Sequence, residues 1–190
     1  MENRREEQIK SLGVFTLVQA KGIGISQQTL SRLVAAKRLK RVAHGIYLHP
    51  DAELDQDAGF QIAFAKFGPE AAIGGLSALY HYNLAEQVPG NVWLLVPPGK
   101  RTSSEGYKFI RTKVNLDHGI VDEKGYRIAS VERAVLEGLK FITKIGERTA
   151  IKAAREALAN KQTTELKLGN AAKELGLESV LRKFLEVIAP

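Results

Sequence analysis

Between positions 26 and 44 the chain sets out side chains suited to one kind of chemistry, the binding of a polyanion. Ser26, Gln27, Gln28, Ser31 and Arg32 carry hydroxyl, amide and guanidinium groups, the types that bond base edges or phosphate oxygens. Among them Leu30, Leu33 and Val34 fall at i, i+3 and i+4, so on a helix they share one buried face and leave the polar set on the other. Lys37, Arg38, Lys40 and Arg41 follow, four cations suited to the phosphate backbone. His44-Gly45 closes the series at a turn where glycine lets the backbone approach a phosphate or the minor groove. Each residue alone is an ordinary exposed polar side chain; only together do they point to nucleic acid.

Other groupings carry less. Ser77 lies in Gly75-Leu76-Ser77-Ala78-Leu79, which lacks the second glycine of a nucleophile elbow and falls in an expected helix. His44, His49, His81 and His118 are dispersed without the paired spacing of a zinc site. Asp117, Asp122, Glu123 and Lys124 have the types of a magnesium-dependent nuclease, yet Asp122 to Gly125 is also the composition of an exposed hairpin turn. Gly22-Ile23-Gly24 is too short for a phosphate-binding loop. The expectation is therefore a protein that is not an enzyme, with no catalytic residue, metal or cofactor.

The elements that must position the polar series can be read around it. Glu2 to Ser11 is helix-compatible and stops at Gly13; Thr16 caps a second helix, broken by Gly22-Ile23-Gly24-Ile25; Ser26 caps a third over 27–37. Two short β-type runs, 39–42 and 46–48, flank the turn at Ala43-His44-Gly45 and make a hairpin. Helix, turn, helix and hairpin in this order predict a winged helix-turn-helix over residues 1–50, with Tyr47 packing the wing onto the third helix. Pro50 to Asp57 is acidic and reads as a linker, so the expected domains are 1–50 and 51–190.

The second part predicts a helix over 58–67, a short one over 76–82, strands at 91–96 and 107–111, and a hairpin over 120–128. Helices at about 130–141, 147–159, 164–175 and 178–188 complete it. The fold class is α+β: a winged helix-turn-helix, a mixed α/β body and a helical C-terminal tail.

Charge is unevenly spread. Lys plus Arg against Asp plus Glu is nine to three over 1–50, one to six over 51–99 and eighteen to twelve over 100–190, about +6, −5 and +6. The first segment suits a polyanionic partner; the third is either a second such surface or an ordinary solvated one. Cysteine is absent, which fits a reducing cytoplasm, and residues 1–20 mix charges without an apolar run, so neither a signal peptide nor a membrane span is expected.

The runs Gly13-Val14-Phe15-Thr16, Gly24-Ile25-Ser26 and Arg41-Val42-Ala43-His44-Gly45-Ile46-Tyr47 resemble the winged helix of AbiEi-type antitoxins of type IV toxin–antitoxin systems, which serve abortive infection and phage defence. Ala72-Ile73-Gly74-Gly75-Leu76-Ser77, Val92-Trp93-Leu94-Leu95-Val96-Pro97-Pro98 and Ile128-Ala129-Ser130-Val131-Glu132-Arg133-Ala134 continue the likeness through the body. The resemblance implies a repressor that binds inverted repeats in double-stranded DNA of its own promoter. It also implies a body that counters a nucleotidyltransferase-like toxin without a stable complex. Two copies would share an inverted repeat, with a monomer allowed in solution. The family's DNA contacts carry over onto Ser26, Gln27, Gln28, Ser31, Arg32, Lys40 and Arg41. Lys100, Arg101, Arg111, Lys113, Lys152 and Arg155 are candidates for an antitoxic basic surface. The alternative is a winged-helix scaffold acting through a protein partner.

Overall fold

The computed structural model describes residues 2–51, 57–123 and 125–189, with side chains from residue 7 onward. Residues 52–56 of the expected linker and Lys124 of the acidic hairpin turn lie outside the described residues. The chain separates into two compact units, residues 1–68 and 69–190.

In the first unit, α1 (Glu2–Leu12) stops at Gly13, which takes the left-handed φ of +60° that glycine adopts without steric cost. β1 (Val14–Thr16) follows, a strand absent from the sequence reading. Three residues are too few to display an alternation. β1 exists because it pairs antiparallel with β3 (Ile46–Leu48), Val14 opposite Leu48. Thr16 then caps α2 (Leu17–Gly22): its hydroxyl accepts from the Gln19 N–H at 3.3 Å, and the Gln19 side-chain oxygen accepts from the Thr16 N–H at 2.8 Å.

Ser26 caps α3 (Gln27–Ala35), which ends short of the expected Lys37 because that residue turns left-handed, at φ 58°. β2 (Lys40–Ala43) and β3 form the hairpin, giving a three-stranded sheet in the order β1-β3-β2. This is a winged helix-turn-helix whose wing gains a third strand from β1.

One core holds these elements together. Ile9, Phe15, Ala20, Ile25, Leu30, Leu39 and Tyr47 are buried in a single cluster, and the rings of Phe15 and Tyr47 stack with centroids 5.8 Å apart. At about 1.5–3 kcal/mol for each large apolar side chain removed from water, this cluster rather than helix propensity holds the short helices. α4 (Ala58–Phe67) packs on β1 and β3 with Ala58, Phe60, Ala63 and Phe67 buried. The compact division therefore falls after Gly68, and α4, which the sequence assigns to the body beyond a boundary at 50/51, joins the first unit.

The second unit is built on a mixed five-stranded sheet. Its strands are β4 (Ala72–Ile73), β5 (Val92–Val96), β6 (Tyr107–Arg111), β7 (Ile120–Glu123) and β8 (Tyr126–Ala129), in the order β6-β5-β4-β8-β7. The pairs β5–β6 and β4–β8 are parallel; β4–β5 and β7–β8 are antiparallel. β4, too short for any periodic signal, is the central strand. After it Gly74 and Gly75 lead into α5 (Gly75–His81): a Cβ on Gly74 would sit 2.4 Å from Leu95 Cγ, and one on Gly75 2.7 Å from the Trp93 ring. Ser77, buried, accepts a hydrogen bond from the Trp93 N–H at 2.9 Å, so its hydroxyl is a structural tie between α5 and β5. Tyr82, whose hydroxyl donates to the Ala129 carbonyl at 3.0 Å, is pushed up to about 12, chiefly by burial, which removes it from acid–base work near neutral pH.

Beyond β8, Ser130 caps α6 (Val131–Lys140), and α7 (Ile142–Ile145), α8 (Glu147–Ala159), α9 (Glu165–Glu174) and α10 (Glu178–Ile188) follow. The short α7 was not anticipated; the remaining helices fall where the sequence placed them. α8 turns Ala150, Ala153, Ala154 and Ala157 inward, small side chains that admit close packing on α6.

Arg133 on α6 is fully buried. It donates to the carbonyls of Val114, Asn115 and His118 and to Glu137 Oε1, the last at 3.1 Å from Nη2. It thus fixes the segment between β6 and β7 to the helix. Burial pushes the Glu137 carboxyl above its usual range, even with Arg133 beside it.

Arg133→Met should cost about 3–5 kcal/mol, because three carbonyls and a buried carboxylate lose their partner at once. The single tryptophan, Trp93, reports on this unit, so urea unfolding followed by its fluorescence measures the loss. With its folded value raised, Glu137 contributes stability that is complete below the unfolded value of about 4.3 and lost as pH rises through the folded value. Removing Arg133 raises the folded value further, so the deficit of the variant should be smaller near pH 4 than near pH 7. A deficit independent of pH would remove Glu137 from this account.

Candidate nucleic-acid interface

The recognition helix is set by one fully buried residue. Leu30 has no exposed surface, and Leu33 and Val34 are half-buried against the same core. At 100° per residue this anchoring sends Gln27, Gln28, Ser31 and Arg32 outward, and all four are exposed. The Ser26 hydroxyl accepts from the Thr29 N–H at 3.2 Å and lies 3.0 Å from the Thr29 hydroxyl. Its role in the fold is the helix cap, which uses the oxygen as an acceptor and leaves Ser26 exposed at the start of α3.

The cations run from the end of α3 into the first strand of the hairpin. Lys40 and Arg41 lie on β2, and Arg41 Nη2 is 3.1 Å from His44 Nδ1 at the wing turn. That turn is held to the helix-turn-helix by the Leu17 N–H, which donates to the Gly45 carbonyl at 2.8 Å, and Gly45 takes φ +69°. At the open end of the hairpin, where Lys40 pairs with Leu48, stand Lys37 and Arg38. With Lys10, His49, Glu7 and Asp51 they line a hollow of about 420 Å³. His49 Nδ1 accepts the Asp51 N–H at 3.1 Å, which leaves Nε2 to carry the ring proton. Sequence spacing does not join Lys10 to His49: an isolated lysine on α1 and a histidine after β3 meet only when the hairpin folds onto the helices.

The six candidate cations of the second unit also separate. Lys100 and Arg101 follow β5, while Arg111 and Lys113 lie at and beyond the end of β6, its parallel neighbour, where Val96 pairs with Arg111. Lys152 and Arg155 belong to α8. Most are already engaged. Lys100 pairs with Glu70 at 3.7 Å, Arg111 donates to the Thr102 carbonyl at 3.2 Å, and Arg155 to the Val187 carbonyl at 2.7 Å. Lys152 pairs with Glu86 and, at 3.5 Å, with Glu156; Glu86 raises the Lys152 ammonium and is itself held below the usual carboxylate range. Arg101 and Lys113 are exposed and have no ion pair or hydrogen bond among the described residues. A cleft of about 520 Å³ at the ends of β5 and β6 includes Pro97, Lys113, Asn115 and Arg127 in its walls. Arg127 is spent on structure, donating to the Pro69 and Leu116 carbonyls at 2.8 and 2.7 Å.

Asp117 and Asp122, weighed above as nuclease carboxylates, flank Arg127 at 3.6 and 3.5 Å. Among the described residues no group of three or more His, Asp or Glu is arranged to hold a metal ion. Nor is any helix among them long and apolar enough to cross a membrane.

Residues 5–50 match a family described as "Transcriptional regulator, AbiEi antitoxin", a family of regulators and not of enzymes. The match spans β1, α2, α3 and the wing. No curated protein matches the chain. Among solved structures, the crystal structure of the RV2827C protein from Mycobacterium tuberculosis matches with a TM-score of 0.62 over 93% of this chain and 71% of that one. The two are 13% identical, so the likeness is one of fold.

Ser26→Ala should lower the stability of the first unit by about 1 kcal/mol, the usual effect of removing an N-cap. Thermal melting followed by far-ultraviolet circular dichroism measures it. An unchanged melt would mean that α3 does not need its cap.

Proposed function

We propose that this chain is a transcriptional autorepressor and antitoxin, which binds inverted repeats in the promoter of its own operon through α3 and the wing and opposes a nucleotidyltransferase-like toxin through its second unit. The observation that carries the DNA-binding half is the division of α3. Its apolar face is locked into the core by Leu30 while Gln27, Gln28, Ser31 and Arg32 stand exposed, with Arg41 and His44 at the neighbouring wing turn. An α-helix of this kind fits the major groove, where amide and guanidinium groups distinguish base pairs.

The cations divide the work. Arg32 belongs with α3, and Arg41 and His44 with the wing turn; Lys37, Arg38 and Lys40, toward the open end of the hairpin, give a peripheral phosphate contact that adds affinity but no sequence preference. Each chain has one reading helix, so an inverted repeat takes two copies. The match to a regulator and antitoxin family over residues 5–50 supports this reading.

For the antitoxic half, the residues best placed are Arg101 and Lys113, the two candidate cations with no partner among the described residues; Lys113 lines the cleft at the ends of β5 and β6, and Arg101 follows β5 in the chain. A charge not neutralised by any described residue remains available to an external anion.

Gel shifts on DNA from upstream of the gene, across a salt series, test repression. The wild-type chain should shift at low salt, with affinity falling steeply as salt rises. Arg32→Ala should weaken binding by about 1 kcal/mol or more, as should the Lys40→Ala/Arg41→Ala pair, the latter with a shallower salt slope. A chain that shifts no upstream DNA at low salt is not an autorepressor.

Co-expression with the product of the adjacent gene tests the antitoxic half. Arg101→Ala/Lys113→Ala should lose protection against growth arrest while still shifting DNA. Full protection by this pair would move the activity to another surface.

A further inference from the structure

The hairpin that forms the wing is not a regular ladder. Arg41 pairs with Tyr47 and Ala43 with Ile46, so Val42 is the extra residue of a β-bulge. In a regular strand successive side chains alternate between faces, but here Lys40, Arg41 and Val42 are all exposed in succession. Val42 keeps 37% of its surface accessible, whereas the other large apolar side chains of this unit are, with one exception, buried or half-buried among the described residues. That exception is Val18, 78% exposed, and it follows Leu17, the residue whose N–H holds the wing turn through Gly45. Val42 thus stands between Arg41 and the wing turn, and Val18 is next in sequence to the residue that holds that turn.

We infer that Val42 is a specificity-determining residue, which the bulge delivers to the floor of the DNA minor groove beneath the wing, where it selects A·T over G·C pairs. This rests on the DNA-binding reading above and adds to it a second, apolar element of recognition. With α3 in the wide major groove, the wing turn meets the neighbouring narrow one, and a single branched side chain beside an arginine matches its width.

The minor-groove floor of an A·T pair offers acceptors only, which Arg41 can satisfy. A G·C pair adds the guanine N2 amino group, a donor that loses its water against Val42 and gains no acceptor in return. The wing is held for this role: Tyr47 stacks on Phe15 below it, and the Leu17–Gly45 hydrogen bond fixes its turn. A protein partner at the same patch is the competing occupant. The cationic neighbours Lys40 and Arg41 favour DNA.

The test uses the full chain and a duplex of upstream DNA that it shifts, in which a G·C pair is walked one position at a time through the flanks and each replacement is repeated as I·C. Inosine lacks the N2 amino group and keeps the rest of the pair. Where the wing lies, G·C should weaken binding by roughly five- to tenfold and I·C should restore it. Val42→Asn, whose side-chain oxygen can accept from N2, should equalise the two pairs there, and Val42→Ala should narrow the gap, both with unchanged circular dichroism and salt dependence. If G·C and I·C bind alike at every position, or if Val42→Asn discriminates as the wild type does, the assignment of Val42 fails while DNA binding by α3 stands. If no duplex is shifted at low salt, both readings fall.

Discussion

The burial of Leu30 is the contact on which the N-terminal unit depends. A nine-residue helix has little stability of its own in water, and α3 stays folded and oriented because Leu30 fills the space among Phe15, Ala20, Ile25, Leu39 and Tyr47. Orientation matters as much as folding. One buried side chain on a helix fixes the azimuth of every other, so the same packing that stabilises α3 turns its polar residues toward solvent. A change that let α3 rotate would leave its sequence intact and its face misdirected.

The wing obeys the same constraint from the other side of that core. Tyr47 packs in it as Leu30 does, and the stack of Tyr47 on Phe15 ties β3 to β1, so helix and hairpin share one foundation. The bulge at Val42 and the left-handed Gly45 are local departures from regular strand geometry, placed where the hairpin faces outward. The short elements of this unit are held mostly by contacts between elements, and only their caps are local. Shape and electrostatics are therefore set together, because the core decides where the cations stand.

In the second unit the comparable anchor is electrostatic. Arg133 reaches three carbonyls of the segment after β6 and a carboxylate on its own helix, all in the interior, where an unpaired charge is costly. The cleft at the ends of β5 and β6 includes that segment in its wall, so the cleft inherits its rigidity from α6. Counting lysines and arginines overstates what this unit offers to an anion, because Lys100 and Lys152 are neutralised by carboxylates and Arg111 and Arg155 are bound to carbonyls.

Much of this architecture is legible in the chain itself. The caps at Thr16, Ser26 and Ser130, the stop at Gly13, the apolar spacing of Leu30, Leu33 and Val34, and the run from Val92 to Val96 act through nearest neighbours along the backbone, and local rules find them. So does the winged-helix order, and the polar face of α3 follows from its apolar one.

What no local rule reaches is pairing between distant segments. β1 and β4 are strands only because β3, β5 and β8 lie beside them; α4 joins the first unit because it packs on β1 and β3. The availability of each basic side chain likewise depends on carboxylates and carbonyls far away in sequence. Sequence by itself determines which faces must be buried and where helices begin, since those are set by side-chain type and spacing. Tertiary structure alone decides which charges remain free and which segments meet, because both depend on contacts that close only when the chain is folded.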